Sequence, residues 1–339
     1  MLPKINRCLK LVDIEKVSVF EEEIDDLLPN QVLVKIKVAG ICGSDLHYFR
    51  HGGLGSFKQP LPMDMGHEPS GEVVDSKSKN FKAGDRVALE PSHPHVEDKW
   101  YAKGRHNLAE GTFMGADTKG CMADYAVVDE MQCIKIPDYT SFFTASFLEP
   151  LAVALHSINL TEVHYTDTVS VFGCGPVGLS VIMCLKKIGI QKIIAVDPID
   201  FRRDKAIELG AEIAYSIDDI VESKLNNLTT VSFDVAGNDV SLDLSIRLCS
   251  PGGKLALVGI PEVDHLQVNP HLLRIKELKF INIRRSNQTT HDALELFKKD
   301  SKLIDSLITH KFTLDQCQEA FETASNYKNG IIKGVFVDS

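Results

Sequence analysis

The stretch from Thr168 to Gly189, "TVSVFGCGPVGLSVIMCLKKIG", constrains the fold more than any other part of the sequence. A short run of β-branched residues leads into Gly173-x-Gly175-x-x-Gly178, and apolar residues at helical spacing follow. In that context the glycines let a backbone approach a pyrophosphate at the opening of a helix, where unpaired N–H groups favour an anion. The pattern then alternates: "KIIAVD" reads as a strand, "FRRDKAIELGA" as a helix, and "VSFDVAG" and "KLALVGI" as further strands. Strands alternating with helices predict right-handed crossovers and an α/β unit with a doubly wound parallel sheet.

Asp197 closes the second strand run, where an acid accepts a hydrogen bond from an adenosine ribose 2′-OH. A glycine turn without a ligand is the weaker explanation, because strand, glycines, helix and acid occur together. The loop residues Gly173, Gly175, Pro176, Val177 and Gly178 are therefore the expected cofactor contacts. Asp197 would repel a 2′-phosphate, which favours NAD over NADP, although Arg202 and Arg203 would accept one if they turned inward. Cys174 has no base partner in the loop and reads as a packing group. Gly237, and Val258 with Gly259, fall in loops at the carboxyl edge of such a sheet and are expected to approach the nicotinamide half, or to be turn residues only.

Up to about residue 150 the texture differs. Short β-runs such as "QVLVKIKVAG", "GEVVDS", "DRVALE" and "ADYAVV" are separated by Gly, Pro, Asp and His, as in an irregular antiparallel barrel. "LEPLAVALHSINL" reads as the helix joining the halves. A chain of 339 residues exceeds what one core usually fills, so two domains are expected. The stretch from "RRSNQTT" onward, with helices in "HDALELFKK" and "DQCQEAFETASN" and a last strand "GVFVDS", fits either domain. A net charge of −10 disfavours nucleic acid and anionic membranes as partners. Charges interrupt the apolar residues of the N-terminal segment, and no later run is long enough to span a bilayer, so a soluble, cytoplasmic protein is expected. The eight scattered cysteines read as reduced thiols.

Chemistry needs a site, and the first half offers one. "GICGSDLHYF" places Cys42 after a predicted strand, with Ser44, Asp45 and His47 close behind, and "DMGHEPSG" sets His67 against Glu68. A thiolate, an imidazole and a carboxylate form a plausible tetrahedral zinc set with one position open. Taken singly, a cysteine is usually buried and inert, a histidine usually a hydrogen-bonded scaffold group, and His-Glu a solvated turn.

The segments "GICGSDLHY", "GHEPSGEV", "AGDRVALEP", "FLEPLAVALH" and "VFGCGPVG", in this order and spacing, closely resemble the zinc-dependent medium-chain dehydrogenases. Within that superfamily they look most like the sorbitol and polyol dehydrogenases. The resemblance spans nearly the whole chain. It implies a GroES-like β-barrel catalytic domain over residues 1–152, with a C-terminal return over 290–339, and a Rossmann NAD-binding domain over 153–289. The zinc and the nicotinamide would lie in the cleft between them. Matched by motif, Cys42, His67 and Glu68 are zinc ligands, and Glu149 binds the metal directly or through water. Gly66 and Pro69 would bracket a tight backbone segment that presents His67 and Glu68 to one ion. Ser44 is implied as the proton relay, extended by His47 or by Glu149 through water, and Asp45 as a group that orients the loop or a ligand. The implied reaction passes a hydride from a secondary hydroxyl of a polyol or sugar-derived substrate to NAD.

The departures from the family are equally informative. Many relatives carry a structural zinc on a lobe with four close cysteines, and "EPSHPHVEDKWYAKGRHNLAEGTFMG" has none. His93, His95 and His106 with Glu97 and Asp98 are a weak substitute, so one catalytic zinc per chain is expected and no structural one. Arg284 matches an arginine that reaches towards cofactor and substrate. Arg285 stands where animal enzymes often have an aromatic residue. On a substrate wall its guanidinium would favour a carboxylate or phosphate, and pointing outward it would be a solvated surface group. Tyr48 and the pair Phe113-Met114 align with substrate-cleft residues, or serve as packing. The resemblance also implies a homodimer or homotetramer, often paired through an edge of the Rossmann sheet, near which "KLALVGI" is expected. A metal-free quinone-type reductase and a non-catalytic NAD-binding protein on the same fold are the alternatives, and the intact ligand and glycine sets disfavour both.

Overall fold

Apolar residues fill Gln31–Gly40 almost without interruption, and a run of that kind must be buried on both faces. In the computed structural model, which describes residues 4–338, this strand is the hub of a seven-stranded sheet. Glu68–Ser76, Tyr125–Asp129 and Lys333–Val337 all pair with it in antiparallel fashion. Register shifts at Leu33/Val34 and Ile36/Val38 bend it, as a curled sheet requires. Arg86–Leu89 and Cys133–Lys135 extend the sheet on one side, and Ile308–Phe312 lies beyond the C-terminal strand. Ile308–Phe312 and Lys333–Val337 run parallel, so the expected antiparallel barrel contains one parallel pair. The helix Cys317–Ser325 between them supplies the crossover that such a pair needs.

Chain contacts divide the described protein into two units, Met1–Glu149 with Thr290–Ser339, and Pro150–Thr289. The final stretch therefore folds with the barrel unit. Its attachment is apolar: Val32, Val34, Val73 and Val87 are fully buried, and Phe321 of the return meets Phe49 at 5.1 Å. Burying one such side chain contributes about 1.5–3 kcal/mol, more than an ion pair at the rim.

The second unit is a six-stranded sheet, parallel throughout, ordered Ile213–Tyr215, Lys192–Val196, Thr168–Phe172, Thr229–Asp234, Cys249–Leu257, Lys279–Asn282. The order reverses at Thr168–Phe172, and that switch point is where such sheets bind ligands. Ile213–Tyr215 and Lys279–Asn282, which the sequence pattern does not reveal, form its two edges. "KLALVGI" is thus one strand in from an edge, and Lys279–Asn282 is the edge itself. Among the described residues no helix is long and apolar enough to cross a membrane.

Candidate metal centre and dinucleotide site

The helix Gly43–His51 begins where the hub strand ends, and Cys42 is its N-cap. Asp45, 1% exposed, reaches back so that its Oδ2 accepts the Cys42 N–H at 2.9 Å. Its other oxygen, Oδ1, lies 3.5 Å from Nδ1 of His67. One carboxylate thereby fixes the loop that carries the thiol and the face of the imidazole. Nε2 of His67 is left towards the site, 3.3 Å from the Ser44 hydroxyl. Burial alone would push the His67 pKa down, but Asp45 and then Cys42 outweigh it and hold it well above the usual 6.5. A bound metal requires the neutral imidazole and would release that proton.

Gly66 has a φ of +93°, and a Cβ there would lie 2.5 Å from Cγ of Met122, so the bend before His67 requires glycine. Pro69 is not a second turn residue: it stands inside Glu68–Ser76, opposite Ala39. A proline fits there because the chain makes its turn one step earlier, at Gly66. Donor atoms of Cys42, His67 and Glu68 all lie within 4.8 Å of one another. Glu149 and His47 fall outside that set. Glu149 is nonetheless close in charge: burial first, then the Glu68 carboxylate, push its carboxyl up to about 7. Glu90, half-buried, also raises it, and accepts the Thr290 hydroxyl. His47 is half-buried in the helix that starts at Gly43.

Sequence reading missed Lys333. It enters from the C-terminal strand, is 2% exposed, and its Nζ forms an ion pair with Oε2 of Glu68. Pairing of Gly40 with both Glu68 and Val335 brings these distant segments together. Nothing local in "IIKGVFVDS" marks the lysine, because its partner is fixed by strand register.

The donors fit a divalent ion of borderline softness: thiol sulfur, imidazole nitrogen and carboxylate oxygen converge, and the imidazole is braced from behind. Oε1 of Glu68 is buried without a hydrogen-bond partner among the described residues, as a ligand atom facing an ion would be. A second convergence, Cys8 with Glu22 and Asp64, does not share this character. Lys10 already pairs with both carboxylates, 2.6 Å from Glu22 and 3.4 Å from Asp64, and burial pushes the Cys8 thiol up to about 11. That cluster borders a cavity of about 380 Å³ that Cys42, His67 and Glu68 do not line. In the cysteine-free lobe, Ser92–Pro94 pairs with Gly111–Phe113, Asp98 accepts the Trp100 and Glu110 N–H groups, and Tyr101 stacks on His106 at 4.0 Å.

In the second unit, Gly175 caps the helix Pro176–Lys187, with Pro176 at its first position. A Cβ on Gly178 would lie 1.8 Å from the Gly173 carbonyl, so helix and strand meet only with glycine there. Asp197 is buried: its carboxylate accepts the Cys174 N–H at 2.7 Å and the Ile199 N–H at 2.9 Å, which ties this acid to the glycine loop. Cys174 is fully buried, and burial raises its thiol beyond the usual range. Arg203 turns back to the Asp197 carbonyl and to Asp200, whereas Arg202 places its Nη1 3.8 Å from where a Gly175 Cβ would stand. Gly237 and Gly259 pack backbone against backbone, and Val258 and Gly259 donate to the Asp234 carbonyl. Asp234, another buried acid missed in the sequence, gathers the Ala236 and Gly237 N–H groups and the Ser241 hydroxyl at this loop.

Of the substrate candidates, Phe113 sets its ring 5.2 Å from the His67 imidazole. Tyr48 and Met114 are buried in the barrel core. Arg284 is exposed, and Arg285 is half-buried with a φ of +56°.

Comparison with known proteins gives a consistent pattern. Residues 28–138 match the model of the alcohol dehydrogenase GroES-like domain, and residues 176–299 match that of the zinc-binding dehydrogenases. The sorbitol dehydrogenase of Homo sapiens is 33% identical over 316 residues, covering 89% of this chain and 87% of its own. Among solved structures, 2R,3R-butanediol dehydrogenase from Bacillus subtilis is 31% identical with a TM-score of 0.86, covering 98% of this chain and 100% of its own. L-idonate 5-dehydrogenase from Escherichia coli is 26% identical with a TM-score of 0.90, covering 98% of each chain.

Proposed function

This chain belongs to the zinc-dependent medium-chain dehydrogenases, and on that premise we propose that it oxidises a secondary hydroxyl of a polyol or sugar-derived substrate with NAD. The observation that carries the reading is the convergence of Cys42, His67 and Glu68 within 4.8 Å, braced by Asp45, in a chain that also holds a complete parallel dinucleotide-type sheet.

Cys42, His67 and Glu68 hold one zinc ion, with Glu149 as the adjacent second carboxylate; the cysteine-free lobe holds none. Bound there, zinc supplies Lewis acidity to the substrate hydroxyl, and NAD accepts the hydride. Ser44 takes the hydroxyl proton and passes it to His47 on the same helix or to Glu149. Phe113 shields the imidazole from water. Gly173, Gly175, Pro176, Val177 and Gly178 cradle the pyrophosphate, and Arg202, which lies over Gly175, contributes charge there. Asp197 holds the adenosine ribose and disfavours a 2′-phosphate. Arg203, already engaged, gives such a phosphate no counter-charge. Gly237, Val258, Gly259 and Arg284 serve the nicotinamide half, with Tyr48 and Phe113 on the substrate side. The protein acts as a cytoplasmic homo-oligomer, and Lys279–Asn282 is the one of the two sheet edges next to "KLALVGI".

A second reading, a sugar acid or sugar-alcohol phosphate as substrate, is favoured by Arg285, whose partial burial differs from that of a freely solvated arginine. The L-idonate dehydrogenase likeness points the same way. The deciding experiment is a panel of NAD-linked oxidation rates over sorbitol, xylitol, ribitol, galactitol, their phosphates and aldonic acids. Neutral polyols oxidised fastest support the first reading, and strict preference for anions supports the second. No oxidation of any member would refute both.

A further inference from the structure

Two buried carboxylates stand at the carboxyl edge of the parallel sheet, and they hold different loops. Asp197 takes the Cys174 N–H and so anchors the glycine loop. Asp234, 1% exposed, ends Thr229–Asp234 on the other side of Thr168–Phe172. Its Oδ1 accepts the Ala236 N–H at 3.2 Å, the Gly237 N–H at 3.1 Å and the Ser241 hydroxyl at 2.8 Å. Its carbonyl accepts the Val258 N–H at 2.8 Å and the Gly259 N–H at 3.0 Å. The loop after its own strand, the first turn of the helix Asp239–Leu248 and the turn after Cys249–Leu257 thus meet on one residue. Burial disfavours the charge and raises the Asp234 pKa, and the hydrogen bonds from Gly237, Ser241 and Ala236 only partly offset it. The segments it joins have no slack: a Cβ on Gly237 would lie 2.9 Å from the Gly259 carbonyl carbon, and one on Gly259 2.6 Å from the Gly237 nitrogen. Asp234 is in register with Phe172, where the strand order reverses, so these loops border the place where such a sheet receives its ligand.

We propose that Asp234 is a positioning residue for the nicotinamide ring: it fixes the loop 235–238 and the turn 258–259 as one rim, while Asp197 separately fixes the loop for the pyrophosphate. The inference rests on the NAD reading of this sheet, in which Gly237, Val258 and Gly259 serve the nicotinamide half. Asp234 acts through those residues and does not itself touch the cofactor. Loss of its Oδ1 releases three donors at once and lets the rim shift. Hydride transfer is sensitive to such a shift, because a misplacement of about 1 Å costs about a hundredfold in rate.

The test compares wild type with Asp234→Ala, Asp234→Asn and Ser241→Ala in the full chain. NAD, NADH and ADP-ribose, which lacks the nicotinamide, are titrated by calorimetry, and the emission of bound NADH reports the surroundings of the reduced ring. Asp234→Ala should bind NAD and NADH about tenfold more weakly, the scale of one lost hydrogen bond to the nicotinamide. Its ADP-ribose affinity should stay at the wild-type value, and the emission of bound NADH should move towards that of free NADH. A merely structural carboxylate would not separate the two ligands. Asp234→Asn keeps an oxygen at Oδ1, where all three side-chain hydrogen bonds end, and should restore wild-type affinity and emission. Ser241→Ala removes one of the three donors and should show the same selective loss on a smaller scale; it decides the matter if Asp234→Ala does not fold. Equal weakening of NAD and ADP-ribose, no weakening of either, or Asp234→Asn as impaired as Asp234→Ala would overturn the positioning role. A wild type that binds neither NAD nor ADP-ribose would instead overturn the NAD reading beneath it.

Discussion

Replacing Asp45 by Asn probes the bracing of the metal centre with almost no change in volume. Asp45 serves two donors at once, the Cys42 N–H at 2.9 Å and Nδ1 of His67 at 3.5 Å. An amide has one acceptor oxygen, so its NH2 group must face one of those two donors. If the oxygen stays on Cys42, the imidazole loses the partner that keeps its proton on Nδ1 and Nε2 turned to the metal. Loss of a partner of this kind typically costs 10–100-fold in metal affinity, about 1.4–2.7 kcal/mol. Competition for zinc with a chromophoric chelator reads this directly, and NAD binding by fluorescence should stay at the wild-type value, because Asp45 belongs to the barrel unit. Zinc affinity within twofold of wild type, with the variant folded, would refute the idea that Asp45 orients His67.

Three further outcomes are expected. Cys42→Ser should abolish turnover while sparing NAD binding; retained turnover would remove the cysteine from the centre. Gly178→Ala should destabilise the dinucleotide unit by about 1–3 kcal/mol and weaken NAD binding, because its Cβ would collide with the Gly173 carbonyl at 1.8 Å. A normal melting curve with normal NAD affinity would contradict that packing. Asp338→Asn tests the anchor of the C-terminal strand. Burial would raise the Asp338 pKa, but Lys35 and Lys37, each 2.8 Å away, hold it below the usual value. A depressed folded pKa gives stability that is present above the unfolded pKa, about 3.9, and is lost as pH falls through the folded value. The variant should therefore melt lower at pH 7 by about 0.5–1 kcal/mol, and the difference should shrink as the pH falls below the unfolded pKa; a pH-independent difference would exclude the ion pairs as its cause.

What the sequence disclosed follows from where the information lies. The strand, glycine loop and helix at Thr168–Lys187 are contiguous, and each glycine answers to a contact within the same few residues, so the pattern is legible. Cys42 and Asp45 are likewise neighbours on one helix turn, and the family motif makes them visible together. Lys333 is invisible because only the pairing of Gly40 with Glu68 and Val335 puts it beside Glu68. The edge strands Ile213–Tyr215 and Lys279–Asn282 are too short to build a period, and their neighbours in the sheet define them instead. Pro69 misleads for a related reason: as an isolated dipeptide it marks a turn, while in the sheet it occupies a strand position.

The central claim is that Cys42, His67 and Glu68 form a zinc centre on which an NAD-linked oxidation depends. Metal analysis of the purified protein, combined with polyol-dependent NAD reduction before chelation, after chelation and after zinc is restored, tests it most directly. One zinc per chain, activity lost with the metal and regained with it, is the expected result. A zinc-free preparation that reduces NAD at the full rate would contradict the claim.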